Sequence, residues 1–129
     1  MLIGQIKDNR PVIFIAVGSG LGTVQNVLVL IDSGFTAELK ISEELAEQLG
    51  IKTEYIETVS LAVGKATIPA GFAHVSLEGQ TEKVSVLIGG RPSIGIGLLR
   101  KFGYSLHMDC VNDQIRLQRY TEDPVDFEG

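Results

Sequence analysis

Val24-Gln25-Asn26-Val27-Leu28-Val29-Leu30-Ile31-Asp32-Ser33-Gly34 is mixed over its first three residues, then runs through five consecutive apolar residues to an acid and a turn. Its length and its β-branched content read as a strand. The unbroken apolar run from Val27 predicts a strand buried on both faces. An ionised carboxylate directly after such a run sits where removal from water is expensive. Asp-Ser-Gly is also a common turn sequence, in which the carboxylate only caps the bend. The tripeptide by itself does not separate a chemical role from a structural one.

Working outward, residues 12–17 form a second short apolar run, joined to the first through the turn Gly18-Ser19-Gly20-Leu21-Gly22. Downstream, Ser42 is a helix N-cap, Glu43 and Glu44 suit the positive end of the helix dipole, Leu45 and Leu49 share one face, and Gly50 is the stop. From Thr58 the period becomes two, with Val59, Leu61 and Val63 facing one way. A turn at Gly64-Lys65 then returns the chain through Ala66, Thr67 and Ile68, with Pro69 marking an edge or a bend. Two more strands, residues 72–77 and 83–88, join through Glu78-Gly79-Gln80. Gly89-Gly90-Arg91-Pro92 breaks the pattern, and Leu98, Leu99 and Phe102 form the apolar patch of a short helix closed by Gly103. A closing hairpin, residues 104–109 and 114–120, turns at Asn112-Asp113. The fold class is therefore all-β with one or two short helices. Residues 1–120 read as a single domain, and residues 121–129 as an acidic tail, broken by Pro124, that is expected to fray.

The 129 residues suit one core, and 44% hydrophobic with 21% charged residues is a globular balance. A net charge of −5 offers no basic footprint for nucleic acid or anionic lipid, so both are set aside as partners. No run approaches the roughly 20 apolar residues of a membrane span. Met1-Leu2-Ile3-Gly4-Gln5 lacks the basic start of a signal peptide, and the lone Cys110 cannot form an internal disulfide, so a cytoplasmic location is expected.

About sixty residues after Asp32 comes Pro92-Ser93-Ile94-Gly95-Ile96-Gly97-Leu98-Leu99-Arg100-Lys101-Phe102-Gly103, where two apolar-Gly steps feed the short helix. Taken with Val29-Leu30-Ile31-Asp32-Ser33-Gly34, this resembles the retropepsin-like aspartic proteases, and Phe35-Thr36-Ala37-Glu38-Leu39 resembles their bacterial and archaeal members most. The resemblance implies an acid-protease-type β-barrel. Asp32 would be the catalytic carboxylate, and Ser33 the hydroxyl that ties two active-site loops together. Gly34 would allow the sharp turn, and Ile94 with Gly95 would be the supporting apolar-Gly motif. The hairpin Ala62, Val63, Gly64, Lys65 and Ala66 would be a flap closing over bound peptide. The chain departs from viral members at Thr36 and Ile96, where an Asp and an Arg usually pair, and in carrying Ser33 for the commoner Thr.

The chemistry of that family needs two carboxylates about 3 Å apart sharing a proton, one to activate water and one to hydrogen-bond the peptide carbonyl. Only one Asp-Ser-Gly occurs, and Asp8, Asp109, Asp113, Asp123 and Asp126 sit in turns, strand ends or the tail. A twofold homodimer supplies the second Asp32. The partners expected are therefore a second copy and an extended peptide, with no metal and no cofactor.

Other candidates read better as structure. Gly18 to Gly22 lacks phosphate-loop spacing, and Gly89 to Gly97 lacks the Gly-Lys-Ser/Thr ending. His107 with Cys110 is too small a set for zinc, His74 is a filler, and nothing beside Cys110 marks an activated thiol. The competing function is a non-catalytic peptide-binding or dimerisation module on the same fold.

Overall fold

The computed structural model describes residues 1–20, 22 and 24–120. The tail, 121–129, and Leu21 of the first glycine turn lie outside the described residues. The chain opens with β1 (Leu2–Lys7), β2 (Arg10–Gly18), β3 (Val24–Ile31), β4 (Leu39–Ile41) and helix α1 (Glu43–Leu49). It continues through β5 (Tyr55–Leu61), β6 (Gly64–Leu77), β7 (Gln80–Ile88) and β8 (Ser93–Ile94), then α2 (Ile96–Phe102), β9 (Tyr104–Asp109) and β10 (Gln114–Arg119).

Strands β2, β3, β8, β4, β7 and β6 pair in that order, and β6 returns to β2 through Ala16↔Ser76, Val17↔Val75 and Gly18↔His74, so the sheet closes on itself. This is the β-barrel expected. The short β8 is inserted between β3, which it meets in parallel, and β4, which it meets antiparallel. Outside the ring, β5 hangs on β6, and β1, β10 and β9 extend in turn from β2.

Alternation fills the interior: Ile13, Ile15 and Val17 of β2 and Val27, Val29 and Ile31 of β3 point inward, with Val75, Val84, Val86 and Ile94 opposite. Leu45 and Leu49 of α1 and Leu98, Leu99 and Phe102 of α2 complete that core. Ser42 caps α1 by accepting from the Leu45 N–H (3.1 Å), and Gly50 and Gly103 end the two helices in the left-handed conformation, both at φ 73°.

Two expectations need correction. β3 is buried on one face only: Leu28 is 41% exposed, its outer face left open among the described residues. The turn after β5 lies at Ala62-Val63, and Gly64 already pairs with Leu61 as the first residue of β6, at φ 129°. Pro69 marks an edge, as expected. It lies where β6 pairs with β5 alone, since pairing with β7 starts at Ala70, so a missing N–H is tolerated. Three strands, β1, β4 and the two-residue β8, escaped the sequence reading. No helix among the described residues is long and apolar enough to cross a membrane.

Candidate active site

Asp32 is the first residue beyond β3. Its strand is held against β8 by Leu30↔Ser93 and Ile31↔Ile94, and the Asp32 N–H donates to the Ile94 carbonyl (3.0 Å). The chain then bends at once. The Phe35 N–H donates to the Asp32 carbonyl (3.1 Å), and the Gly34 N–H donates to Asp32 Oδ1 (2.9 Å). Asp32 is half-buried, while Ser33 and Gly34 are exposed. The turn-capping reading and the site reading thus coexist: the bend that Asp32 caps also fixes its carboxylate at the end of the strand.

The return path explains the apolar-Gly motif. Residues 35–38 lie directly on the start of α2, where Gly95 N–H donates to the Glu38 carbonyl (3.2 Å), Ile96 N–H to that of Phe35 (3.0 Å) and Gly97 N–H to that of Ala37 (3.2 Å). A methyl group on Gly95 would stand 2.2 Å from the Phe35 carbonyl oxygen and 2.4 Å from that of Ala37. Those are backbone atoms within a hydrogen-bonded ladder, so they cannot swing away. Gly97 is less tight, at 3.0 Å from the carbonyl oxygens of Thr36 and Ala37. Ile94, fully buried, anchors this seam in the core.

Glu38, which the sequence reading did not single out, is the polar centre of the seam. Its Oε1 accepts from both the N–H and the hydroxyl of Ser85 (2.9 Å each), and its Oε2 pairs with Lys101 Nζ (2.8 Å). Burial works against the charge, but these bonds prevail and hold the Glu38 carboxyl below the usual glutamate range. The carboxylate thereby ties the loop carrying Asp32 to β7 and α2 together. Its partners are far apart in sequence, and no local pattern announces them.

A cleft of about 480 Å³ opens beside this loop. Gly34, Phe35, Thr36 and Ala37 form one side, Ser85 and Leu87 another, and residues from Tyr55 to Ser60 on β5 a third. Asp32 adjoins it through Gly34. The hairpin tip, Ala62 to Ala66, stands clear of the lining, with Val63 96% exposed. It is β5 rather than the tip that walls the cleft in this conformation, a contribution the sequence reading missed. Tyr55, packed on Phe72 with ring centroids 5.6 Å apart, has its phenol raised above the usual range by burial and then by Glu57, Glu38 and Glu54. Among the described residues no three His, Cys, Asp or Glu side chains gather to hold a metal ion.

A closed barrel with a strand inserted between two others, a hairpin hung on its edge and a short helix behind a single Asp loop is the fold of the retropepsin-like aspartic proteases. Solved structures that share it include the following two. The EIAV protease complexed with the inhibitor HBY-793 aligns with a TM-score of 0.62 at 15% identity, over 78% of this chain and 95% of that one. A retropepsin-like aspartic protease from Rickettsia conorii aligns with a TM-score of 0.59 at 14% identity, over 88% and 86%. No protein-family profile and no curated protein sequence matches the chain.

Proposed function

We propose that the protein is an aspartic endopeptidase assembled from two identical subunits, each contributing Asp32 to one active site. The observation that carries this reading is the way Asp32 is held: a half-buried carboxylate at a strand end, anchored by the Gly34 N–H, on a loop pinned from behind by Gly95 and bordering a cleft. A twofold axis at that loop would bring two such carboxylates together, where they share one proton. The ionised member takes a proton from the attacking water, and the protonated member donates to the peptide carbonyl oxygen as negative charge develops there.

On this reading Ser33, exposed in the single subunit, faces its counterpart across the axis. The hairpin Ala62 to Ala66 closes over an extended peptide, and residues 1–120 form the catalytic unit. Incubating an unfolded, reduced protein with wild type and with Asp32→Asn between pH 4 and 7 tests the idea. The variant is expected to lose at least about a hundredfold in rate, while wild type sediments as a dimer. Equal cleavage by both forms, or cleavage by a strict monomer, overturns the proposal.

A further inference from the structure

The cleft beside Asp32 is charged on one wall only. Of the side chains that line it, Glu57 is the sole carboxylate, and no Lys or Arg is present. The period of two along β5 places Glu57 on the same face as Tyr55 and Val59, both half-buried toward the cleft. The other surfaces are neutral: Phe35, Thr36, Ser85 and Leu87.

Three lysines near this region have partners other than Glu57, Lys40 among them on the cleft-lining Phe35. Lys101 is paired with Glu38, Lys83 lies over the Phe72 ring at 4.7 Å, and Lys40 over the Phe35 ring at 5.6 Å. Neither ion pair found among the described residues involves Glu57. Glu57, exposed to solvent, therefore has no counter-ion among the described residues and stands next to apolar surface. Burial first, and the neighbouring Glu57 carboxylate next, hold the Tyr55 phenol above its usual range.

We infer that this cleft selects peptides carrying a Lys or Arg side chain, with Glu57 as the specificity-determining residue. The inference rests on the peptidase reading for its biological sense, but the subsite is defined by Glu57 and its surroundings alone. A long basic side chain suits both surfaces: its methylene stem lies along Phe35, Val59 and Leu87, and its cationic head reaches the carboxylate. An arginine would also find the Tyr55 ring for stacking. An acidic side chain in the same place meets repulsion, with the chain's net charge of −5 adding to it. The plainer role for Glu57 is a charge that keeps the exposed edge strand β5 from pairing with other chains. That role gives no dependence on substrate charge.

The test uses peptides identical except at one position, which is Lys, Arg, Leu or Glu, with the full-length wild type, Glu57→Gln and Glu57→Lys. Attraction on one side and repulsion on the other predict a kcat/KM about tenfold higher for Lys than for Glu with wild type. Glu57→Gln should flatten the ratio, Glu57→Lys should invert it, and added salt should shrink it. Binding of the same labelled peptides to Asp32→Asn, followed by fluorescence anisotropy with and without Glu57→Lys, separates the subsite from turnover. Charge-dependent binding that inverts with Glu57→Lys, with no cleavage by wild type, sustains the subsite and ends the peptidase reading. Cleavage by wild type with the same preference order in all Glu57 variants ends the subsite and leaves the peptidase. Absence of both binding and cleavage ends both.

Discussion

The two sides of the cleft are built in opposite ways. The seam between the Asp32 loop and α2 is backbone on backbone: three N–H groups of residues 95–97 donate to carbonyls of residues 35–38, and the space left over admits no side chain at Gly95. The hairpin of β5 and the first part of β6 has one neighbour per strand, no buried side chain from Tyr55 to Pro69, and a glycine, Gly64, with open space around it. The first region is fixed by contacts that cannot be exchanged. The second is held by a ladder alone and sits at the low-stability end of the fold. On the proposed peptidase reading, a site that holds an acid still while admitting a polymer needs both, in separate elements.

That contrast can be broken most severely at Gly95. Gly95→Ala forces a methyl into two carbonyl oxygens and is expected to destabilise the protein by about 3–5 kcal/mol in chemical denaturation. Gly64→Ala, strained only by its φ of 129°, should cost about 1–2 kcal/mol and leave the core intact. Equal losses at the two positions would erase the distinction.

Glu38 sharpens the comparison through pH. Its carboxyl is held low in the folded protein despite burial, by Lys101 and Ser85. The stability it contributes is therefore present above the ordinary glutamate value of about 4.3 and is lost as pH falls through the lower folded value. Glu38→Gln should lower stability by about 1–2 kcal/mol at pH 7 and by less at pH 3. Asp109, held low by Asn112, adds a slope of the same sign, so the informative quantity is the difference in Tm between wild type and variant at each pH. A difference that stays constant from pH 7 to pH 3 would remove Glu38 from that role. The smallest effect belongs to the hairpin tip: Val63→Ser should change stability by no more than about 0.5 kcal/mol. If the tip closes over peptide, its KM should rise with kcat little changed.

Legibility in the sequence followed how local each cause was. The α1 caps, the hairpin turns at Glu78-Gly79 and Asn112-Asp113, and the strand leading to Asp32 were readable because neighbouring residues determine them. Strand β1 was missed because Gly4 interrupts its apolar residues; its turn, Asp8-Asn9, takes positive φ at both positions and was the available signal. Strand β4 has three residues, and both of its partners, β7 and β8, come from the other half of the chain. Leu28 looked like interior because composition cannot say which face of an apolar strand is left uncovered. Of the site, Asp32 and Gly95 were legible as an ordered pair of motifs. The reason for the glycine, the Glu38 lock and the wall formed by β5 all arise between distant segments, where a single sequence carries no spacing to read.

Ring closure by β2 and β6 has a colloidal consequence. It satisfies the hydrogen-bonding sides of the barrel strands and leaves β5 and β9 as the two ends of the pairing order. Unwanted stacking of copies into fibres can start at these two margins. Each bears an acid, Glu57 on one and Asp109 on the other. Equal charges on facing margins repel, so Glu57→Ala combined with Asp109→Ala should shorten the lag before fibres grow.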